Sequence, residues 1–207
     1  RLESAQQLEP ASAALREKLD TAISDTDDIL ETFSALLRIA QIEAGTRKTG
    51  FAMLDLSEVV TNACDAYAPV LHDDQKVLEL DVEAGIQLNG DRELLTQLIA
   101  NLIENAVHHT PVGTTEHISL KLEQSTALLR VSDNGPGVPS DQRSRILDRF
   151  YRADQSRNTP GSGLGLSLVK AVSDLHRASV DLDDNNPGLV VEIRFPNITE
   201  RVARETC

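Results

Sequence analysis

Residues 91–109, DRELLTQLIANLIENAVHH, carry the pattern on which the fold turns. Asp91 opens a helix whose apolar face is Leu94, Leu95, Leu98, Ile99, Leu102, Ile103, Ala106 and Val107. Asn101 and Asn105 lie one turn apart and share one face of that helix, flanked by apolar positions. Outward from it the period changes. Leu78, Leu80 and Val82 alternate with Glu79 and Asp81, and Ile86, Gln87 and Leu88 repeat the alternation after a turn at Gly85. Downstream, Ile118, Leu120 and Leu122 alternate with polar residues. Leu128, Leu129 and Val131 around Arg130 form a second strand, joined to the first near Gln124 and Ser125. A strand over 51–56 precedes a helix over 57–68, with Ser57 as its N-cap and Pro69 as its stop. A short helix over 140–147, a helix over 165–175, and strands at 180–182 and 189–195 complete the series. Helices and strands mix without strict βαβ repetition, which predicts an α+β, two-layer α/β sandwich.

Residues 11–44 hold no proline or glycine. Leu15, Leu19, Ala22, Thr26, Ile29, Phe33, Leu36 and Ala40 recur at alternating spacings of four and three, a heptad seam with one polar member. Such a coiled-coil-like helix is roughly 50 Å long, and its seam needs partner helices. Residues 1–9 read as the tail of another helix, with Pro10 in the turn between the two. Gly45 is the expected stop, and residues 46–50 a polar joint. Domain boundaries are expected at 1–48, 50–197 and a tail over 198–207.

The chain has 207 residues and a formal charge of −13, which argues against a generic nucleic-acid surface. Its two cysteines cannot build a disulfide framework or a Cys-based metal site. Cys64 lies among apolar neighbours and is read as packed rather than reactive. No apolar run is long enough to span a membrane.

Three segments could do chemistry. Asn side-chain carbonyls at 101 and 105 suit a hard cation that keeps waters and phosphate oxygens. Asp133-Asn134-Gly135-Pro136-Gly137 follows a strand, and places a carboxylate that can accept from an exocyclic amine beside a turn with close backbone access. Gly161-Ser162-Gly163-Leu164-Gly165-Leu166 leads into a helix and can expose amides to phosphate. Its spacing is neither a Walker loop nor a dinucleotide fingerprint. Between the last two lies a basic stretch with Arg143, Arg145, Arg149, Arg152 and Arg157, in which Phe150 and Tyr151 are the aromatics. Such a lid suits a triphosphate. Each segment alone is also compatible with capping, an ordinary turn or a solvated loop.

Taken together, these residues resemble bacterial sensor histidine kinases. Residues 101–111 (NLIENAVHHTP) are similar to their N box, 133–137 (DNGPG) to the G1 box, 149–152 (RFYR) to the F box and 161–166 (GSGLGL) to the G2 box, in family order and spacing. Residues 37–45 (LRIAQIEAG) resemble the end of the second helix of the dimerisation and histidine-phosphotransfer hairpin. The resemblance implies a Bergerat-type sandwich, with helices on one face of a mixed sheet and ATP–Mg²⁺ under a lid. By motif, Asn105 would coordinate Mg²⁺ and Asn101 would support the phosphate end. Asp133 would accept the adenine amine, with Gly135 and Gly137 letting the base approach. Gly161, Ser162, Gly163, Leu164, Gly165 and Leu166 would wrap the phosphates, with Phe150, Tyr151 and Arg152 in the lid that Phe150 anchors.

Two departures stand out. His108 occupies a position that is commonly Lys or Arg in the family, which predicts weaker nucleotide binding or compensation by a lid arginine. None of His72, His108, His109, His117 and His176 has the family's His-Glu/Asp-Leu-Arg-Thr-Pro context. The chain is therefore expected to begin just beyond that motif, and to bind ATP without autophosphorylating alone. The resemblance further implies a response-regulator receiver domain as partner and a homodimer in the intact protein. It also implies a cytoplasmic site in a parent anchored in the bacterial inner membrane. The competing readings are a related ATPase of the gyrase, chaperone or mismatch-repair type and a catalytically degenerate scaffold. The first would need a carboxylate base where Asn101 stands, and Glu104 projects about 60° away from it.

Overall fold

The computed structural model describes residues 2–44, 50–152, 162–196 and 199–200. In chain order the elements are α1 (Leu2–Glu43), β1 (Phe51–Asp55), α2 (Leu56–Asp73), β2 (Val77–Val82), β3 (Ile86–Asp91) and α3 (Arg92–His109). Then come β4 (Thr115–Glu123), β5 (Thr126–Asp133), α4 (Ser140–Arg143), α5 (Gly165–Leu175), β6 (Ser179–Asp184), β7 (Leu189–Phe195) and β8 (Thr199–Glu200).

The strands form a five-stranded sheet in the order β2-β4-β5-β7-β6 and a three-stranded sheet in the order β1-β3-β8. β2 runs parallel to β4, and the other pairs are antiparallel, so the larger sheet is mixed as the motifs implied. Alternation explains its two faces. Ile118, Leu120, Leu129, Val131, Val191 and Ile193 point inward and share one core with Leu94, Leu98, Leu102 of α3 and Leu168, Val172 of α5. The opposite face carries ion pairs between Lys121 and Asp81 and between Arg194 and Asp181.

Both prolines expected to interrupt helices lie inside them. α1 runs unbroken through Pro10, so the turn of a truncated hairpin is not formed there. Good helix-formers on both sides carry the backbone past a single missing donor. α2 likewise continues through Pro69 to Asp73. Asp65, whose carbonyl loses its usual donor, is on the exposed side where water can replace it.

The N-cap of α2 is Asp55, whose side chain accepts from Glu58 N–H at 3.1 Å, and not Ser57. The Ser57 hydroxyl is instead buried; it donates to Glu83 O at 2.6 Å and accepts from Ile86 N–H at 3.1 Å. It thereby ties the start of α2 to the turn before β3. The fourth helix ends at Arg143, shorter than expected.

On α1, Ile39 and Ile42 are buried and the last turns pack on α5, while Leu15, Leu19, Ile29 and Phe33 of the seam are exposed. Arg149 pairs with Glu43 at the end of this helix. Thr199 and Glu200, expected in a tail, pair with Gln87 and Ile86 of β3. The globular unit therefore extends to at least residue 200. The expected stop at Gly45, the joint at 46–49 and the remainder of the tail lie outside the described residues. Among the described residues, no helix is long and apolar enough to cross a membrane.

Candidate functional site

α3 positions the amide pair. Its N-cap is Asp91, as expected, with Oδ1 accepting from Leu94 N–H at 3.1 Å. The buried imidazole of His176 holds that cap, since its Nε2 accepts from Asp91 N–H at 3.0 Å and its Nδ1 lies 2.8 Å from Val172 O. These contacts assign the proton to Nδ1, and burial holds the imidazole's pKa below its ordinary value. Nearly three turns on, Asn101 and, one turn further, Asn105 are half-buried, with Asn101 Nδ2 donating to Gln97 O at 2.8 Å. Glu104 is turned away and accepts from the Tyr67 hydroxyl on α2. The last turn presents His108 and His109 as exposed residues.

β5 ends in Asp133. Its carboxylate accepts from Gly135 N–H at 2.8 Å and more loosely from Leu189 N–H at 3.4 Å. Burial raises its pKa above the ordinary value, and the two amide donors oppose that rise. A Cβ on Gly135 would meet Asp133 Oδ1 and Thr110 Cγ2, each at 2.9 Å. Gly137 has φ +70° and faces Gly188 O, where a Cβ would come within 2.7 Å. The turn is thus built on positions where side chains do not fit.

The lid and the glycine loop meet back to back. Phe150, exposed and at φ 60°, donates its N–H to Gly163 O at 3.1 Å. A Cβ on Gly163 would lie 3.0 Å from Tyr151 O. Tyr151 carries the Arg145 guanidinium over its ring at 4.6 Å. Arg143 anchors the lid's start to Asp183 and Asp184. Of the glycine loop, Ser162 and Gly163 are half-buried and Leu164 is fully buried, where it precedes α5. No side chain caps α5, so its first amides, from Gly165 and Leu166 onward, are available to an anion. A Cβ on Gly165 would meet Asn101 Oδ1 at 3.0 Å, so this helix start lies directly against the amide face of α3. Arg152 lies close enough to His109 for its charge to help lower that imidazole's pKa, after partial desolvation of the ring and the charge of His108. Gly161 lies outside the described residues, as does Arg157.

Most of the expected residues are therefore drawn together by α3, the end of β5, the lid and the start of α5. Four contributors were not expected. Asn185 donates from Nδ2 to Asp133 O at 2.8 Å, and Gly188, at φ +117°, comes so close to Asp133 O that any Cβ would clash at 1.8 Å. Asn185 and Gly188 were visible only as turn residues between two strands. Lys76 is buried and closes the C-terminal end of α3 by donating to Val107 O and, at 3.2 Å, to Ala106 O. Glu116, on β4, is the fourth.

The donor set fits a nucleotide with a hard cation. Asn carbonyl oxygens suit such an ion, the uncapped helix suits phosphate, and a buried carboxylate suits an amino group. Among the described residues there is no cluster of three or more His, Cys, Asp or Glu that could hold a metal by itself.

Residues 90–199 match the family model described as histidine kinase-, DNA gyrase B-, and HSP90-like ATPase. The chain belongs to this ATPase family. Its domain is accordingly an ATP-binding one, and the sandwich is the Bergerat-type fold expected from the motifs. Among similar proteins, the signal transduction histidine-protein kinase AfsQ2 of Streptomyces coelicolor is 32% identical over 177 residues, covering 84% of this chain and 32% of AfsQ2. The sensor-like histidine kinase SenX3 of Mycolicibacterium smegmatis is 28% identical over 170 residues, covering 81% of this chain and 44% of SenX3. The solved structure of the mycobacterial sensor histidine kinase MprB superposes with a TM-score of 0.66 at 28% identity, covering 72% of this chain and all of that one. The chain spans less than half the length of these curated relatives.

Proposed function

We propose that this chain is the ATP-binding catalytic part of a bacterial sensor histidine kinase, which delivers the γ-phosphoryl group of ATP to a histidine for relay to a response-regulator aspartate. The observation that carries this reading is the contact between Asn101 and Gly165, which sets the Asn101 amide, one turn from Asn105 on α3, against an uncapped helix start. The names of the relatives support the kinase reading. Glu104, held by Tyr67, leaves the position beside Asn101 without a carboxylate base, which disfavours a water-activating ATPase.

In this reading Asp133 accepts the adenine amine, and Gly135 and Gly137 let the base lie against backbone. Asn105 would hold Mg²⁺, with Asn101 supporting the phosphates. Mg²⁺, when bound, supplies positive charge against the β- and γ-phosphoryl oxygens. Gly161, Ser162, Gly163, Leu164, Gly165 and Leu166 present backbone amides to the phosphates, and Phe150, Tyr151 and Arg152 close over them. His108 is a weaker donor than the Lys or Arg common at this position, which calls for either lower nucleotide affinity or compensation by a lid arginine. The assigned phosphoryl acceptor is a histidine of the first hairpin helix; none of the five histidines of this sequence has that motif's context.

Residues 1–48 are assigned to the hairpin through which the intact protein dimerises, with α1 as a single continuous arm of it, a reading supported by the exposed apolar seam of α1. Residues from 50 onward are assigned to the ATP-binding domain. The receiver domain of a response regulator is the assigned partner, and the bacterial inner membrane the assigned anchor of the parent, with this domain on the cytoplasmic side.

Calorimetric titration with a non-hydrolysable ATP analogue, with and without Mg²⁺, tests the reading. Binding that depends on Mg²⁺ and is lost in Asn105→Ala supports it. No binding in either condition overturns it in favour of a degenerate scaffold.

A further inference from the structure

Glu116 is a glutamate in a core position. It lies on β4 in line with Ile118 and Leu120, on the face that meets the helices, and is 1% exposed. Both of its carboxyl oxygens are buried and neither has a hydrogen-bond partner. Its antiparallel partner in the β4–β5 ladder is Asp133, with Val131 opposite Ile118 next along. Residues directly opposite in such a ladder project from the same face, with Cβ atoms roughly 5 Å apart. Glu116 therefore stands behind the carboxylate assigned to the nucleobase.

We infer that Glu116 is a positioning residue for that carboxylate: a buried neutral acid, paired in register with Asp133, that keeps a second negative charge away from the base end of the nucleotide site. The inference rests on the ATP-site reading above and deepens it.

An isolated ionised carboxylate in such surroundings is too costly to persist, and the group neutralises instead. Burial pushes the Glu116 carboxyl up to about 8, the charge of Asp133 adds to the rise, and Lys76 opposes it. The groups that face it are Asp133 from β5, Lys76 from the link between α2 and β2, and Cys64 from α2. The Cys64 thiol is itself pushed up to about 12, chiefly by burial and then by Glu116, so it stays neutral. On the β2 side the register partner is apolar Leu78. Near neutral pH the pair thus holds one charge, on Asp133. Above the Glu116 pKa it holds two. The added charge repels a polyanionic nucleotide and competes for the Lys76 ammonium, which otherwise closes α3 through Ala106 O and Val107 O. By linkage, a nucleotide that binds more weakly to the ionised form raises the proton affinity of Glu116 by the same factor.

The test is calorimetric affinity for a non-hydrolysable ATP analogue at about pH 7 and about pH 9.5, for the wild-type chain, Glu116→Gln and Asp133→Asn. The wild type is expected to bind about tenfold more weakly at the higher pH, the effect of a one-unit shift in one group. Glu116→Gln is expected to show no such loss. Equal pH slopes in the two proteins, with Asp133→Asn weakened throughout, would overturn the role of Glu116 and leave the ATP site standing. An absence of wild-type binding near pH 7 would overturn both. A second readout avoids dependence on the variant's folding. Nucleotide-induced infrared difference spectra of the wild type, with and without carboxyl-labelled glutamate, should contain a protonated-carboxyl band that moves on binding and shifts with the label. Lack of that band would also overturn the inference, since a purely structural glutamate would not respond to nucleotide.

Discussion

Asn101 on α3 and Gly165 at the start of α5 are packed so closely that a methyl group on the glycine would lie 3.0 Å from Asn101 Oδ1. The absent side chain lets an amide face and a helix N-terminus share one space. Gly165→Ala should therefore separate folding from binding. Alanine suits a helix better than glycine by up to about 1 kcal/mol, and Asn101 can yield by a few tenths of an ångström. The melting temperature should stay close to wild type, while affinity for an ATP analogue falls by about tenfold as Asn101 is displaced. Thermal melts and calorimetry on the same sample would check this, and unchanged affinity would argue against a shared phosphate seat.

Asp133→Asn should keep the turn but exchange a charged acceptor for a neutral one. Hydrogen bonds to charged groups contribute about 1.5–3 kcal/mol, so nucleotide affinity should drop by roughly ten- to a hundredfold. Because burial raises the pKa of Asp133, acid should release nucleotide at a higher pH than an ordinary carboxylate would require. Titrations at decreasing pH would find that acid limb missing in the variant.

His176 makes the fold itself sensitive to acid. Its imidazole is buried and neutral, accepting at Nε2 from the N-cap of α3 and stacked on Phe51 with ring centroids 4.7 Å apart. Its pKa is lowered in the fold, so its contribution is present above the ordinary histidine value, near 6.5, and is lost as pH falls below it. Urea unfolding midpoints should drop between about pH 7.5 and about pH 5. A His176→Gln variant should be weaker at neutral pH and should lack this part of the pH dependence.

Ser57→Ala should cost more than its place near a helix start suggests. Removing the hydroxyl strands Glu83 O and Ile86 N–H in the interior, at about 1–3 kcal/mol for such groups. Asp55→Ala, which removes the actual cap, should cost about 1 kcal/mol. Denaturant titrations of the two variants would rank them, and the reverse order would show that water replaces the hydroxyl.

On the surface of α1, Phe33→Glu should leave unfolding of the globular part unchanged while weakening self-association. Phe33 is 58% exposed and touches no core in the single chain. Sedimentation at several concentrations would detect the change.

The residues that carry chemistry were legible because the motifs are local. The two asparagines need only one helix turn to share a face, and Asp133 needs only the end of its strand and the glycines beside it. What escaped depends on contacts between distant segments. Asn185 and Gly188 look like any turn between strands until β6 and β7 bring them against Asp133 O. Ser57 carries the side chain of a cap, but Asp55 stands two residues earlier and takes that place. Pro10 and Pro69 signal breaks by local rule, yet each removes a single donor from a helix with favourable residues on both sides. Glu116 was hidden for a different reason. A charged residue at the inward position of an alternating strand reads as the strand's polar beginning, and nothing nearby shows that β5 lies opposite it.

The pairing of Thr199 and Glu200 with β3 has a practical bearing on how this protein is trimmed or fused. Ending the polypeptide at Phe195, where the large sheet is complete, would strip Ile86 and Gln87 of their β8 partners and lengthen the open border of β3 able to recruit a second molecule. A tag or fusion partner joined there would invite precipitation for reasons unrelated to catalysis. Joined beyond residue 200, it would leave the β8 pairing in place.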